Sequence, residues 1–437
     1  MQSLLIYKVF FVFTPSLCYF CSLKTLIMET ERYFTHSLTN GLRIILQQTT
    51  SQVAYCGYAV NAGTRDEDPD TPGMAHFIEH MLFKGTTHRK AWHILNRMEH
   101  VGGDLNAFTN KEETVVYCSF MKQDFTRAAE LLTDLVFHSV FPQHEIEKEC
   151  EVIIDEIKMY EDTPAELIFD DFEDLIFAGH PLGRNILGNA DALRTYTKTH
   201  ADAFFQRYYK PDNMIFFVMG NYTIEQVVRE VEKRTYDISA DPVVLNRQQP
   251  SFSPAKRLDI NKQSHQAHVL MGGRAYDGKS TKRVALNLIN NILGGPGMNS
   301  RLNIALREHR GLVYEIESNF TPYTDIGTFS IYFGCDHDDV ESCINLVFKE
   351  LKQFREQRLS ESQMRAAKKQ FIGQIGVSSD NNENNALGMA KTFLHYNRFI
   401  TSEEAFHNID LLTSDLLHDV AQEVLAESNL SILHYGR

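Results

Sequence analysis

The chain has 437 residues, of which 43% are hydrophobic and 23% charged, and its formal net charge is −14. This length exceeds one simple core, and the composition is typical of an ordered globular protein with two domains. The acidic balance argues against a nucleic-acid-binding protein, which would present a basic face. Seven cysteines without framework spacing indicate free thiols in a reducing compartment, so we expect a cytoplasmic location.

The first 27 residues are apolar and aromatic, with one early cation at Lys8 and an interruption at Pro15. This pattern is too broken for a convincing membrane span, and its cationic start is poor for a signal peptide. We therefore expect residues 1–27 to be a leader or extension outside the fold. The alternative is an exported protein, if this segment acts as a signal peptide.

The periodicity of the remaining chain predicts one order of elements twice. The predicted elements of the first half are strands at 42–48, 52–60 and 114–121 and helices at 73–100, 125–137 and 142–160. Those of the second half are strands at 267–272 and 328–335 and helices at 281–293, 338–356 and 360–377. Such a repeat indicates one divergent unit of about 200 residues, used twice.

We therefore predict an α+β fold of two homologous α/β units, each a mainly antiparallel sheet packed with helices. The predicted units are 28–236 and 256–437. The residues between them, 237–255, contain three prolines and lack periodicity, so we predict a linker there.

The sequence G-M-A-H-F-I-E-H-M-L-F-K-G at 73–85 places three polar side chains in an apolar helical run. His76 and His80 are four residues apart and so share a helix face, with Glu79 on the adjoining edge. Two histidines with a nearby carboxylate are typical of a catalytic zinc site, because they supply two ligands and a base. The corresponding helix of the second copy, at 285–295, has no histidine and no glutamate. We therefore expect the function to reside in the first copy only.

A third metal ligand is expected from the acidic helical stretch E-I-E-K-E-C-E-V-I-I-D-E-I-K at 145–158. Glu149 and Glu156 lie seven residues apart, which is two turns, and so share a face. Helix geometry alone does not choose Glu156 over Glu149 or Asp155. A solvated charged face is the alternative interpretation of this stretch.

Taken together, H-F-I-E-H at 76–80 and Glu156 after 75 intervening residues, with Glu149 ahead of it, resemble the H-x-x-E-H…E signature of the pitrilysin/insulinase-type metallopeptidases. That group includes the mitochondrial processing peptidase, a two-chain enzyme. Other matching stretches are G-T-R-D-E at 63–67, L-N-A-F-T at 105–109 and R-E-H-R-G-L-V-Y at 307–314.

The resemblance implies a zinc endopeptidase with one Zn²⁺ per chain. His76, His80 and Glu156 would bind the ion, Glu79 would be the general base, and Glu149 would orient the site.

The resemblance also assigns residues that contact substrate. Arg307 and Tyr314 would contact the substrate and stabilise the oxyanion of the tetrahedral intermediate. An edge-strand segment would hold the peptide backbone by β-augmentation; its residues are Leu105, Asn106, Ala107 and Phe108.

The architecture that the resemblance implies is a clamshell of four such units, of which one chain supplies two. We therefore expect a homodimer that cleaves short or unfolded peptides, with each zinc site completed by Arg307 and Tyr314 of the other copy. A heterodimer with a related, metal-less chain is the alternative assembly. Two alternative functions are a non-catalytic partner subunit and a zinc hydrolase of a non-peptide substrate.

Overall fold

Two mixed sheets, each covered by helices, form the architecture of the chain. The computed structural model describes residues 32–239 and 241–437, so the expected leader at 1–27 lies outside the described residues. Within those ranges, no helix combines the length and the apolar character that crossing a membrane requires.

Among the described residues, the first sheet has six strands, which are β1 (Arg32–Ser37), β2 (Arg43–Gln48), β3 (Val53–Val60), β4 (Asp104–Thr109), β5 (Thr114–Met121) and β6 (Met214–Gly220). Their order across the sheet is β1-β2-β6-β3-β5-β4. Only β2 and β6 pair in parallel. All seven residues of β6 are buried, as expected for a central strand covered on both faces. The strand β4 forms one edge of this sheet.

The second sheet, in the part of the chain that the structure describes, has five strands, which are β7 (Arg257–Asn261), β8 (Ala267–Ala275), β9 (Val313–Pro322), β10 (Gly327–Cys335) and β11 (Ser431–Gly436). Their order is β7-β11-β8-β10-β9, and only β7 and β11 pair in parallel. This order and these directions repeat the sequence β2-β6-β3-β5-β4 of the first sheet. The predicted duplication of a mainly antiparallel unit is therefore confirmed.

The α-helices flank the sheets in both halves. They are α1 (Met74–Leu82), α2 (Ala91–Glu99), α3 (Phe125–His138), α4 (Gln143–Glu161), α5 (Pro164–Ile176), α6 (Ala190–Leu193), α7 (Lys198–Tyr208), α8 (Ile224–Thr235), α9 (Arg283–Gly294), α10 (Val340–Glu356), α11 (Glu361–Ser378), α12 (Asn382–Tyr396), α13 (Ser402–Asp410) and α14 (Ser414–Val424). A π-helical segment, Asn303–Glu308, precedes β9.

The prediction of one helix over 73–100 is wrong, because a loop separates α1 from α2. Gly85 in this loop has φ +153°, a conformation that side chains disfavour. Isolated β-bridges join Gly85 to Lys90 and Thr86 to Ser139. Several backbone polar groups of the loop are therefore satisfied by bridge contacts instead of helical hydrogen bonds.

Helix α5 follows α4 in the first half of the chain but packs on the second sheet. Its Ile168 and Phe172 are buried in one cluster with Leu270 of β8 and Leu433 of β11. The second half of the chain thus anchors α5, the helix that directly follows α4.

Helix α12 makes the reciprocal contact, because it belongs to the second half and packs on the first sheet. Its Met389 and Phe393 are buried with Ile45 of β2 and Phe217 of β6. Each sheet therefore has one face covered by a helix from the other half of the chain, and the two cores depend on one another.

The turn between β4 and β5 buries three consecutive charged side chains at this junction. Lys111 pairs with Glu173 of α5 at 3.2 Å. The carboxylate of Glu112 accepts hydrogen bonds from the backbone N–H (2.9 Å) and the hydroxyl (2.7 Å) of Thr324. Glu113 pairs with side chains of α12. The two halves are thus joined by ionic as well as apolar contacts.

Candidate active site

A buried carboxylate holds the N-terminus of α1. Glu67 accepts hydrogen bonds from the backbone N–H groups of Gly73 (2.8 Å) and Ala75 (2.9 Å), which have no partner within the helix. Gly73 has φ +94°, and a Cβ atom there would lie 2.6 Å from the carbonyl oxygen of Leu187. Glycine is therefore required where the helix begins, and the start of α1 is fixed.

The apolar face of α1 is anchored in the first core and leaves the motif residues on the other side. Phe77 and Ile78 are fully buried in that core. His76, Glu79 and His80 lie where α1 packs against α4 and β4. The i, i+4 spacing of the two histidines thus directs both rings to one place.

His76, His80 and Glu156 converge at this place. The Nε2 atom of His80 lies 3.7 Å from Oε2 of Glu156, and the Nε2 atom of His76 lies 3.9 Å from the same oxygen. The two imidazole rings meet edge to face, with 4.5 Å between their centroids. The side chains of His80 and Glu156 are 24% and 27% exposed, so the group is open to solvent on one side.

Glu149 contacts the other nitrogen of the His80 ring. Its Oε1 atom lies 2.8 Å from Nδ1 of His80, and its Oε2 atom lies 2.5 Å from Nζ of Lys84. A proton on Nδ1 that bonds to this carboxylate leaves the Nε2 lone pair directed towards Glu156. Glu149 therefore lies behind the histidine pair, while Glu156 lies in front of it.

Burial and charge act differently on the two histidines. Burial and the neighbouring His80 lower the pKa of His76 to about 3, so its ring is neutral near neutral pH. For His80, burial alone would lower the pKa, but Glu149 outweighs this effect and raises it. Burial opposes ionisation of Glu149, yet its pKa is lowered because His80 and Lys84 stabilise the carboxylate.

Glu79 lies beside the pair, with its side chain against the edge strand. Burial raises the pKa of Glu79, although the nearby hydroxyl of Thr109, at the end of β4, has the opposite effect. Its Oε2 atom is buried and has no hydrogen-bond partner among the described residues. A buried carboxylate oxygen without a partner is costly, so this atom is suited to accepting a proton or a hydrogen bond.

The segment predicted to bind peptide lies in β4, at the edge of the first sheet. Asn106 is exposed, whereas Leu105, Ala107 and Phe108 are half-buried. The strand pairs with β5 on one side, and in the described part of the chain no strand pairs with its other side. This outer side of the strand therefore lies near the helix that carries Glu79 and is open to an extended chain.

Arg307 and Tyr314 lie in the second half and are not brought to the histidine pair. Arg307 belongs to the π-helical segment, and Tyr314, in β9, is 55% exposed and donates a hydrogen bond to Asp336 at 2.8 Å. Both line a cavity of about 910 Å³ whose walls come from the second half alone. Within one chain, this cavity and the histidine pair are separate features.

Sequence reasoning missed three residues that support the site, namely Glu67, Lys84 and Thr109. Glu67 was only part of a matching stretch, Lys84 followed the motif, and Thr109 ended the edge-strand stretch. Each acts through a contact with another element or across a turn, for which the local pattern carries no signal. The spatial arrangement also excludes Asp155, which is exposed and pairs with Lys158 at 2.8 Å.

The donor set fits a zinc ion. Two ligands bound at about 2.1 Å to a tetrahedral ion lie roughly 3.4 Å apart, so the observed 3.7 Å and 3.9 Å need only small side-chain movements. Two imidazoles and one carboxylate also match catalytic zinc sites that keep an open position. The neutral His76 and the oriented His80 present the lone pairs that such an ion requires.

The fold and the site define a class of protein, in which a duplicated α+β unit brings two histidines and a glutamate together on α1 and α4 of its first copy. Residues 43–190 match the family described as insulinase (peptidase family M16). Residues 195–371 match the domain described as the peptidase M16 inactive domain, in agreement with the missing ligands of α9. The chain belongs to this family of peptidases.

Relatives and solved structures are similar to this protein over nearly the whole length of its chain. An uncharacterized zinc protease of Streptomyces coelicolor is 31% identical over 408 residues, covering 91% of this chain and 88% of that protein. The uncharacterized zinc protease YmxG of Bacillus subtilis is 29% identical over 393 residues, covering 90% and 95% of the two chains. The crystal structure of a protease from Helicobacter pylori superimposes with a TM-score of 0.87 over 93% of this chain and 100% of that chain, at 19% identity. At 19% identity, the similarity to the Helicobacter pylori protease shows a shared fold.

Proposed function

We propose that the protein is a zinc-dependent endopeptidase that hydrolyses short or unfolded peptides, with Glu79 as the general base. The observation that carries this proposal is the convergence of His76, His80 and Glu156 beside a buried, partner-free oxygen of Glu79. The names of the relatives, which are zinc proteases, support the same reaction class.

The chemistry that a zinc ion supplies when bound by this triad is Lewis acidity, which polarises a carbonyl and lowers the pKa of water. Glu79 accepts the proton of the attacking water and later delivers it to the leaving amine. Its raised pKa suits both steps, because a group that titrates closer to neutral pH can accept and return a proton. Glu149 keeps the ring of His80 in one orientation during this exchange.

The substrate of this proposal is an extended peptide added to the free edge of β4. Main-chain hydrogen bonds hold it there, with side-chain contacts from alternate residues such as Asn106. Recognition of main chain tolerates many sequences but requires an unpaired strand. Folded proteins are therefore poor substrates, and short or unfolded chains are good ones.

The proposed assembly is a homodimer in which Arg307 and Tyr314 of one copy complete the site of the other. The separate location of their cavity within one chain supports this division. A guanidinium and a phenol are suited to contact the substrate and to stabilise the oxyanion of the tetrahedral intermediate. A heterodimer with a related chain is the other assembly that would supply such a pair.

The test combines zinc analysis with cleavage of a quenched peptide library by wild type, Glu79→Gln and Glu151→Gln. Glu151 is exposed on α4 and serves as the matched control. We expect Glu79→Gln to retain the zinc of the triad and to lose roughly 10²–10⁴-fold in kcat, because general-base catalysis contributes that much. Full activity of Glu79→Gln would refute the assigned base. Absence of both zinc and cleavage in wild type would assign the chain to the non-catalytic partner subunits.

A further inference from the structure

A second group of metal-binding side chains lies at the C-terminal end of α3, outside the proposed catalytic site. Asp134 and His138 are one turn apart on α3, and His88 reaches them from the loop that joins α1 to α2. The three donor atoms that they offer lie within 4.8 Å of one another. The proposed peptidase reaction uses none of these residues.

We propose that His88, Asp134 and His138 bind a second zinc ion, which is not catalytic and which fastens the loop after α1 to the end of α3. Two imidazoles and a carboxylate suit zinc and its transition-metal neighbours, whereas Mg²⁺ and Ca²⁺ prefer oxygen donors. This ion is additional to the one expected at the His76, His80 and Glu156 triad.

The geometry of the group supports binding of a metal. The Oδ1 atom of Asp134 lies 2.6 Å from Nδ1 of His88 and 3.4 Å from Nδ1 of His138. The second distance already equals the roughly 3.4 Å separation of two ligands on tetrahedral zinc. The 2.6 Å distance between Asp134 and His88 would have to lengthen. This requires an outward shift of His88, whose side chain is 59% exposed and therefore free to move.

An unpartnered buried atom is a second observation that points to a ligand. The Nδ1 atom of His138 is buried and has no hydrogen-bond partner among the described residues. The same atom is directed towards the carboxylate that also receives His88. A metal ion between these groups would satisfy it, and the last turn of an α-helix favours a cation.

The carboxylate of Asp134 is held in the orientation that such a site requires. Its other oxygen, Oδ2, accepts hydrogen bonds from the hydroxyl of Thr86 at 2.7 Å and from the guanidinium of Arg89 at 2.5 Å. Contacts of this kind orient a ligand, and they direct its remaining oxygen, Oδ1, towards the two imidazole rings between which the metal would lie. Because Arg89 also pairs with Glu130, its positive charge is partly neutralised and opposes a cation less strongly.

The backbone of the loop is already in place for binding. The N–H of Thr87 donates to the carbonyl oxygen of His138 at 2.9 Å, and the N–H of Val140 donates to that of Gly85 at 3.0 Å. His88 is thus presented by a fixed backbone, which lowers the ordering cost of ligation. An ion here would further restrain the segment that carries Lys84, the partner of Glu149.

The test uses the full chain with the triad removed by His76→Gln and His80→Gln, so that only the second site remains. Isothermal titration with Zn²⁺, and the visible absorption of Co²⁺ as a four-coordinate probe, report binding without any activity measurement. We expect one equivalent to bind, and we expect His88→Ala or His138→Gln to weaken it by at least about 100-fold. Thr86→Ala should weaken it by about tenfold, as expected for a residue that orients a ligand.

His100→Ala is the matched control, because His100 is exposed on the next helix cap and lies outside the group. It should leave zinc affinity unchanged. His88 is also exposed, so His88→Ala should fold normally, which thermal unfolding without metal can verify. The proposal is overturned if the triad-free chain binds no zinc, or if affinity falls less than tenfold in both His88→Ala and His138→Gln.

Discussion

Glu149 and His80 are joined by a hydrogen bond of 2.8 Å on the side of the imidazole ring that faces away from Glu156. The bond links the C-terminal end of α1 to the middle of α4, and Lys84 reinforces it through the second carboxylate oxygen. The two helices that carry the three proposed zinc ligands are therefore fastened to each other by a residue that is not itself a ligand.

Replacement of Glu149 by glutamine should weaken zinc binding without abolishing it. The amide carries no charge, so it holds the His80 ring less firmly and no longer pairs with Lys84. Loss of such an orienting contact typically lowers metal affinity 10–100-fold. Competition with a chelator measures this change, with Glu151→Gln as the exposed control on the same helix. An affinity within twofold of wild type would show that His80 does not depend on Glu149.

The proposed sharing of sites between two copies predicts complementation between inactive variants. Glu79→Gln and Arg307→Ala should each lack activity when expressed alone. In a mixed dimer, the copy with intact Glu79 receives intact Arg307 from its partner, so one of the two sites is complete. With random pairing, half of the dimers are mixed and each has one complete site of two. Co-expression should therefore restore about a quarter of wild-type peptidase activity. If each chain used its own Arg307, co-expression would restore none.

The sequence pattern predicted the strands and the positions that share a helix face, because both depend on residues close together in the chain. The buried runs that became β2, β3 and β10 were visible as strands, and the spacing of His76 and His80 placed both on one face. Selection of Glu156 over Glu149 or Asp155 needed either a resemblance or coordinates, because one helix offers all three acids at similar positions. Contacts across elements, such as Thr109 with Glu79, leave no periodic trace in the sequence.

The predictions from the sequence missed the break between α1 and α2 and the exchange of α5 and α12. Residues 83–90, F-K-G-T-T-H-R-K, have no apolar side chain after Phe83, so the loss of helical spacing was visible there but was not used. In the structure, Gly85 and Thr86 form bridges with Lys90 and Ser139. The exchange of helices left no such signal, because an apolar helix face indicates that something covers it, but not which sheet does so. Only tertiary packing decides that α12 lies on the first sheet.

Truncation of Phe393 tests how much stability the exchanged helix α12 contributes. Its ring is 4% exposed and packs on the first sheet, so Phe393→Ala leaves a cavity between the two halves. Such changes cost about 3–5 kcal/mol of the free energy of unfolding. Val377→Ala on α11, where the side chain is 78% exposed, should change it by less than about 0.5 kcal/mol. Urea unfolding followed by circular dichroism measures both, and equal small effects would mean that α12 docks without depending on this ring.

Acid should weaken the junction between the halves through Glu113. Its Oε1 atom lies 2.8 Å from Nζ of Lys391, and its Oε2 atom lies 2.9 Å from Nε2 of His395, both on α12. Burial alone would raise the pKa of Glu113, but these partners outweigh it and hold the pKa well below the ordinary carboxyl value. Its contribution to stability is therefore complete above the unfolded-state pKa and is lost as the pH falls towards the lowered one.

The corresponding variant, Glu113→Gln, should be destabilised by about 3 kcal/mol near neutral pH, because it leaves the basic partners without a buried counter-charge. The difference from wild type should shrink as the pH falls below the ordinary carboxyl range, because the unfolded wild-type chain then takes up a proton at Glu113, whereas the folded chain, with its lowered pKa, does so only at lower pH. Unfolding midpoints in urea across this pH range measure the difference, with the exposed Glu151→Gln as a control that should follow wild type throughout. A difference that stayed constant with pH would show that the side chain acts through shape and hydrogen bonding instead of charge.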